Sequence, residues 1–585
     1  MNQQREYRWV IAAEPDAEII KRLMNEIHIS ETIAVLLFHR GITTYEDAKK
    51  YFRPSLADLH NPFLMDGMER AVQRVLTALE QREKIFVFGD YDVDGTNATS
   101  MLYLFLKKLG ADVQYSVPNR VLEGYGISVA GIQKAKELGT SLFISVDCGI
   151  TAIEQIDYAN SLGIDVIICD HHEPGETLPN AYALLDPLKP TCNYPFKYLC
   201  GCGVAFKFMQ GILQRKLNNI FERESVLREY LDFVVLATSA DIVPITGENR
   251  TLLKIGLEQF NRSPRVGIRA LITSAGLKLG RISVGQIVFV LAPRINAVGR
   301  MGDAHRAIHL LTCENEQQAS ELAAVLEKEN IARRKIDEET FLEAQTVAES
   351  FLQSNNPAVL VLHQEHWHPG VIGIVASRIV EKYYKPTIML TSVEGKVKGS
   401  ARSVDGFDIY TALTQVEDRL LSFGGHKYAA GVLLETHRID DFREALSKTV
   451  NDLMTDEHRT PGIKIERSIS LSELNPKFFR ILDQFSPYGP QNMRPTLLAK
   501  GVTVYGAPRL VGKGHLRWKV KEAANGTNTY FDAIGFGLGD RIEQLSHNTN
   551  IDIVFSLDEY AESNFSSNGS EYVPQLRVKD FRLSA

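Results

Sequence analysis

Lys84-Ile-Phe-Val-Phe-Gly-Asp-Tyr-Asp-Val-Asp-Gly95 joins an apolar run to three carboxylates at alternating positions, Asp90, Asp92 and Asp94. A β-branched and aromatic run closed by glycine reads as a buried strand, and open α/β sheets gather ligands outside the carboxyl ends of such strands. Side chains alternate along extended backbone, so residues two apart aim to one side, and Gly95 permits a sharp turn. Like charges this close repel unless a cation lies between them. The stretch therefore points to a divalent-metal site rather than to a solvated acidic turn.

Two later segments repeat the design. Ser141-Leu-Phe-Ile-Ser-Val146 ends in Asp147-Cys-Gly149, and Asp165-Val-Ile-Ile-Cys169 ends in Asp170-His171-His172. Amphipathic helix patterns lie between these runs, so the units read as successive βαβ crossovers with their strand ends on one edge. Asp241 is a fourth candidate: it follows the hydrophobic run Leu231 to Leu236 and precedes Ile242-Val-Pro244. By spacing alone an aspartate ending a helix is more often a cap or a surface residue.

At 585 residues the chain has room for several cores, and 44% hydrophobic with 23% charged residues is the composition of soluble globular protein. The net charge of -7 carries no global sign of nucleic-acid binding. Locally the balance reverses. Between Asn261 and His309 stand Arg262, Arg265, Arg269, Lys278, Arg281, Arg294, Arg300 and Arg306 against one acid, Asp303, a pattern suited to phosphate contacts. The six cysteines lack a CxxC pair and read as reduced thiols of a cytoplasmic protein, with zinc at Cys200 and Cys202 disfavoured. The amino terminus has no apolar signal core, and no apolar stretch is long enough to span a membrane.

The reading expected along the chain is a helical extension (1–70) packed on the first large domain, an α/β domain (71–313), and a connecting helix (314–354) rich in Ala, Glu, Leu, Lys and Gln. A second α/β domain (355–455) follows, carrying Gly424-Gly-His426. Short alternating strands over 463–585 then suggest a small OB-type β-barrel, although strand counting leaves a β-sandwich open. Glu562 to Glu571 reads as a flexible loop.

Hard oxygen ligands at Asp90, Asp92, Asp94, Asp147 and Asp241, with imidazole from His171, suit two Mn2+ or Mg2+ ions. Such a pair favours phosphoester hydrolysis. No Gly-x-Ser-x-Gly elbow supports a nucleophilic serine, and Gly424-Gly-His-Lys lacks the ending of a nucleotide-binding loop.

Asp90-Tyr-Asp-Val-Asp-Gly95, Asp147-Cys-Gly149 and Asp170-His-His172 resemble the ordered motifs of the DHH phosphoesterase superfamily. With Ala240-Asp-Ile-Val-Pro244, Pro293-Arg-Ile-Asn-Ala-Val-Gly-Arg-Met301, Trp367-His-Pro-Gly-Val-Ile-Gly-Ile374, Gly399-Ser-Ala-Arg-Ser403 and Gly424-Gly-His-Lys-Tyr-Ala-Ala-Gly431, they resemble the RecJ family of single-strand-specific 5′ to 3′ DNA exonucleases. The resemblance implies metal ligation by Asp90, Asp92, Asp94, Asp147, His171 and Asp241, with Asp170 and His172 orienting ligand or substrate. It implies a site between the two α/β domains, release of 5′-mononucleotides in DNA repair and recombination, a monomer, and a helicase and single-strand-binding protein as partners. Many smaller superfamily members carry histidine where this chain has Phe88, and here Asp90 stands in for that ligand.

A 5′-end-specific enzyme needs a pocket for the terminal phosphate. Arg120, Arg294, Ser400 and Arg402 are the candidates by motif position, and Asn296, Arg300 and His426 complete the expected substrate contacts. His368 is a weaker candidate. In the barrel, Arg517, Trp518, Lys519 and Tyr530 are expected to stack and guide the strand. The alternatives are a DHH oligoribonuclease that also hydrolyses nucleoside bisphosphates, which would be shorter and lack the barrel, and a non-catalytic scaffold, which the complete acidic set opposes.

Overall fold

The computed structural model describes residues 6–119, 123–301, 303–524, 527–557 and 575–584. The chain divides into two compact units, one built from residues up to 10 and 327–463, the other from residues 11–326 and 464 onward.

The second of these holds a five-stranded, all-parallel sheet: β1 (Lys84–Gly89), β2 (Asp112–Ser116), β3 (Leu142–Val146), β4 (Asp165–Cys169) and β5 (Ala183–Leu185), in the order β2-β1-β3-β4-β5. The order reverses at β1, so the crevice beside the carboxyl ends of β1 and β3 is the topological switch point where such sheets bind ligands. Register then decides the chemistry. Gly89 pairs with Val146, Val146 with Cys169, and Cys169 with Leu185, so four strands end level. The next residue on each is an aspartate: Asp90, Asp147, Asp170 and Asp186.

Helix α1 (Val93–Lys108) returns from β1, and α2 (Gly201–Lys216), α3 (Leu231–Ala240) and α4 (Gly247–Arg262) pack with it around one large core that includes Phe105, Phe206, Phe233 and Phe260. Further along lie α5 (Ala292–Met301) and the long helix α6 (Glu316–Ser354), which begins in one unit and ends in the other.

The other unit carries a mixed sheet of β6 (Leu360–His363), β7 (Thr387–Val393), β8 (Lys396–Arg402), β9 (Ser422–His426) and β10 (Ala429–Leu434), ordered β9-β10-β8-β7-β6. Only β6 and β7 are parallel. Helix α7 (Ile372–Tyr383) packs on β7 and β8.

The carboxyl-terminal strands β11 (Leu497–Val511), β12 (His515–Ala524), β13 (Thr527–Gly535), β14 (Asn550–Leu557) and β15 (Leu576–Leu583) close on themselves in the order β11-β12-β13-β15-β14-β11. The parallel pairing of β13 with β15 and the closure of β14 onto β11 make this an OB-type barrel and exclude the sandwich. Register shifts between Ala499 and Val502 and between Tyr505 and Arg509 bend β11 so that it serves both neighbours.

Two expectations change. The helices Glu31–Phe38 and Tyr45–Phe52 pack on the barrel rather than on the first α/β domain: Ile33, Leu36, Leu37 and Tyr51 share a core with Phe485, Trp518 and Phe581. The expected division at residue 70 falls inside helix Met68–Gln81, whose Met68, Ala71, Val72 and Val75 belong to the core beside the parallel sheet. The loop expected over Glu562 to Glu571 lies outside the described residues.

Candidate metal centre

Asp92 caps α1, accepting from the Gly95 amide at 3.0 Å. Gly95 matters for a different reason from the sharp turn expected of it. It lies inside the first turn of α1, and a Cβ there would come within 2.4 Å of the Asp90 carbonyl oxygen, so only glycine lets the helix start this close to the strand end.

Asp94, in the same helical turn, is 1% exposed and accepts from the Gly201 and Cys202 amides at 2.6 and 2.8 Å. The amino terminus of α2 thus compensates this buried carboxylate with aligned N–H dipoles. Asp147 follows β3 with φ +61, and Asp241 caps the carboxyl end of α3. Ile242, immediately after it, has φ +59. Left-handed backbone at non-glycine residues costs energy, and here it sits where two segments bend to aim carboxylates at one point.

That point is His171. Its Nε2 lies 3.2 Å from Asp147 Oδ1 and 3.7 Å from both Asp94 Oδ2 and Asp241 Oδ2. Asp147 Oδ1, Asp241 Oδ2 and His171 Nε2 are buried yet make no hydrogen bond. Buried polar atoms are ordinarily satisfied, and three unsatisfied donor atoms facing one another fit a cation. Ligand atoms converge in three overlapping sets, Asp90-Asp92-Asp147, Asp94-His171-Asp241 and Asp147-His171-His172, each within 4.8 Å. The first two have no member in common and could each hold a cation, with Asp147 of the first set 3.2 Å from His171 of the second.

Electrostatics sort the remaining roles. Burial, reinforced by the charges of Asp94 and Asp92, pushes the Asp147 and Asp241 carboxyls well above the carboxylate range. Burial lowers His171, keeping its imidazole neutral with a lone pair to offer. Asp170 behaves otherwise. One oxygen accepts from the Ile150 amide at 2.9 Å; the other accepts from the His171 amide at 2.8 Å and meets His172 Nδ1 at 2.7 Å. Burial opposes ionisation of this pair, but their mutual hydrogen bond and charge outweigh it, lowering Asp170 and raising His172 to about 9. His172 is therefore a cation at neutral pH, which suits it to hold an anion rather than a metal.

Of the expected substrate contacts, Arg294, Asn296 and Arg300 lie on α5. Asn296 Oδ1 accepts from the Val93 amide at 3.1 Å, so this residue also fixes the start of α1 beside Asp92. Arg294 is 8% exposed and donates to the Val290 carbonyl at 2.6 Å. Arg120 lies outside the described residues. Ser400, Arg402 and His426 belong to the other unit. There Arg402 Nη1 donates to Ser400 Oγ at 3.0 Å and to the Ala401 carbonyl at 2.7 Å. Gly373 in the first turn of α7 lies against both, since a Cβ there would come within 2.9 Å of Arg402 Nη2 and of Ser400 Oγ. A hydroxyl, a guanidinium and a helix amino terminus are thereby gathered in one place. His426 is exposed at the end of β9. His368 Nδ1 accepts from the Gly370 amide at 3.0 Å.

The arginine-rich segment is in part structural. Arg265 forks onto both Asp232 oxygens at 2.9 Å, and Arg269 pairs with Glu316 at 2.8 Å, so these two are engaged within the protein rather than presented to phosphate. In the barrel Trp518 is 2% exposed and belongs to the core, because its neighbours in β12 alternate outward. Tyr530, half exposed beside Tyr505 with ring centroids 5.0 Å apart, and Lys521 5.8 Å over the Tyr505 ring, form the outward face instead.

Sequence reasoning missed two residues. Tyr125 puts its hydroxyl 3.1 Å from His172 Nε2 and 3.4 Å from the Asp147 carbonyl oxygen. Asp186 ends a strand too short to read as one; it is fully buried, accepts from the Leu188 amide at 2.7 Å, and leaves Oδ2 without a hydrogen bond. Burial, with Asp170 nearby, raises it to about 7.

A parallel sheet with level aspartates at its switch point, followed along the chain by a mixed sheet, is the arrangement expected from the resemblance to DHH phosphoesterases, and the closed barrel adds what the resemblance to the RecJ family implies. Family models agree: residues 84–238 match the DHH family N-terminal domain, 356–452 the DHHA1 domain and 465–580 the RecJ OB domain. The chain is 36% identical over 579 residues to the single-stranded-DNA-specific exonuclease RecJ of Bacillus subtilis, covering 99% of this chain and 71% of that one. To the Escherichia coli protein of the same name it is 33% identical, over 84% of this chain and 87% of that one. The crystal structure of RecJ with Mn2+ from Thermus thermophilus superposes with a TM-score of 0.82 at 29% identity, covering 99% of this chain and 80% of that one. The chain belongs to the RecJ family. Among the described residues no helix is long and apolar enough to cross a membrane.

Two measurements follow from the electrostatics. Raised carboxyls at Asp147 and Asp241 mean that stability is present at low pH and lost as pH rises through their folded values, while a cation binds only the ionised forms. The gain in Tm on adding Mn2+ is therefore expected to be several-fold larger at pH 8 than at pH 5.5, and equal gains across that range would contradict the cluster. Asp186 is ionised in the folded state only above about pH 7. Loss of stability sets in above the unfolded value near 4 and is complete above about 7, so Asp186→Asn should raise denaturant stability by roughly 2 to 3 kcal/mol more at pH 8 than at pH 5; an equal change or a loss at both pH values would show that the charge is needed.

Proposed function

We propose that this chain is a metal-dependent exonuclease that degrades single-stranded DNA from its 5′ end and releases 5′-mononucleotides, in DNA repair and recombination. One observation carries the reading: two sets of ligand atoms, Asp90-Asp92-Asp147 and Asp94-His171-Asp241, meet at the switch point of the sheet, where unsatisfied buried oxygens of Asp147 and Asp241 face His171. Membership of the RecJ family supports the substrate class.

Asp90, Asp92 and Asp147 would hold one cation, and Asp94, His171 and Asp241 the other, as Mn2+ or Mg2+. When bound, such a pair supplies an activated water and neutralises charge on the phosphoryl oxygens. The chain's own residues do the rest. Asp94 is pinned by the α2 amides, so its carboxylate keeps one direction whatever is bound. Asp170 locks the His172 ring, and the resulting imidazolium at the rim of the cluster donates to the scissile phosphate. Arg294, Asn296 and Arg300 on α5 stand beside the Asp92 turn, where the strand's backbone must pass.

Polarity requires recognition of the end itself. Arg402, Ser400 and the amino terminus of α7 offer a fork, a hydroxyl and backbone amides to a terminal phosphate dianion. The exposed Tyr505, Tyr530 and Lys521 face of the barrel suits unpaired bases, which stack on aromatic rings without sequence preference. The reading implies a monomer in the cytoplasm that works on strands opened by a helicase and coated by single-strand-binding protein.

His171→Ala is expected to reduce release of mononucleotides from 5′-phosphorylated single-stranded DNA at least 10³-fold while retaining DNA binding by fluorescence anisotropy. Activity confined to dinucleotides in the wild type would favour the oligoribonuclease alternative instead. Arg402→Ala should narrow the preference for a 5′-phosphate over a 5′-hydroxyl end about tenfold or more; unchanged relative kcat/KM on the two ends would remove Arg402 from that role.

A further inference from the structure

Asp241 is the one carboxylate of the cluster that does not follow a β-strand. It ends α3, and the loop from Asp241 to Thr246 carries the chain to α4. Helix capping ties only its first amide, which donates to the Ala237 carbonyl at 2.9 Å. The far end of the loop is held from two sides: Asn249 of α4 donates to the Pro244 carbonyl at 3.0 Å and Ile245 belongs to the large core, and a further hold comes from the segment that leads into the barrel. The Ile245 amide donates to the Pro490 carbonyl at 2.8 Å, and the buried Ile245 side chain presses on Gly489, where a Cβ would sit 2.6 Å from it.

The start of α4 is bolted to the same segment. The Arg250 guanidinium, 4% exposed as a residue, donates to the carbonyls of Phe485 at 2.9 Å and of Gln484, Ser486 and Pro487 at 3.2 to 3.4 Å. It also stacks 3.6 Å over the Tyr51 ring. From the other side, Asn492 donates to the Phe485 and Pro487 carbonyls at 2.9 and 2.7 Å. Arg40 joins Asn492 to Glu466 at the base of the barrel. Residues 484–492 are thus held by side chains from both directions, and the loop that aims Asp241 rests on them.

We propose that the lead-in segment of the barrel positions Asp241, so that Arg250 and Gly489, neither of which supplies a ligand atom, set the affinity of the cation subsite formed by Asp94, His171 and Asp241. This rests on the metal-centre reading above and deepens it: the barrel acts on the chemistry through a loop as well as through the strand it binds. Left-handed backbone at Ile242 is the point where the loop is bent to reach both ends. Releasing the far end lets that bend relax and swings the carboxylate away from His171. The subsite of Asp90, Asp92 and Asp147 is built on strand ends and α1, and does not depend on the segment.

The test is Mn2+ binding by the full chain, followed by electron paramagnetic resonance titration without substrate, for wild type, Gly489→Ala, Arg250→Lys, Asp241→Asn and the Asp241→Asn/Gly489→Ala double variant, with circular dichroism confirming the fold. The expected result is that Gly489→Ala and Arg250→Lys each weaken one Mn2+ site about tenfold and leave the other within twofold, reproducing Asp241→Asn, and that the double variant is no weaker than Asp241→Asn alone. Arg250→Lys keeps the charge but not the fork, so it serves if Gly489→Ala folds poorly. Wild-type binding in both variants, equal weakening of both sites, or additive loss in the double variant would overturn the proposal. If Asp241→Asn itself binds two ions with wild-type affinity, the metal-centre reading fails first, and that outcome is distinct from the others.

Discussion

Mutual repulsion among carboxylates held level at one edge of a sheet is the constraint on which the rest of this structure depends. Strand register puts Asp90, Asp147, Asp170 and Asp186 side by side, and Asp92, Asp94 and Asp241 are brought to the same rim. In a buried setting such a group cannot all ionise without compensation. The protein supplies compensation locally where it can: helix amides for Asp94, an imidazolium for Asp170, protonation for Asp186. Asp147 and Asp241 are also pushed toward protonation, but each keeps a buried oxygen without a hydrogen bond facing His171, and that deficit makes the site a trap for divalent cations.

Much of the surrounding architecture can be understood as holding that unfavourable arrangement together. Helix α1 begins against Asp90 because Gly95 has no side chain; α2 points its amino terminus at Asp94; Asn296 of α5 fixes the first turn of α1. The large core of Phe105, Phe206, Phe233 and Phe260 lies behind these helices. Its burial provides the free energy against which charge crowding is tolerated. The candidate metal centre thus lies where local stability is given up to hold carboxylates together.

Much of this was legible in the sequence, and for identifiable reasons. The strand-then-aspartate pattern names its own chemistry at Asp90, Asp147 and Asp170, since alternation and run length are local properties of the chain. Asp186 escaped because β5 has only three residues and β-bridging, not composition, makes it a strand. Arg265 and Trp518 misled for the same reason: residue type is visible in one dimension, but the partner that consumes a guanidinium, Asp232, or the side of a barrel wall on which an indole falls, is not.

The sequence by itself determined the class of fold, the ligand types and their order, because hydrophobic periodicity and ligand chemistry are written residue by residue. Tertiary structure alone decided that four strand ends are level, that five short strands close as β11-β12-β13-β15-β14 rather than stacking as two sheets, and that Asp241 reaches His171 from a helix end. Each of these depends on register and on contacts between segments tens of residues apart, and the seat of the Asp241 loop on contacts more distant still, such as Arg250 with Phe485. Pairing of that kind is a property of the packed chain, and local pattern does not encode it.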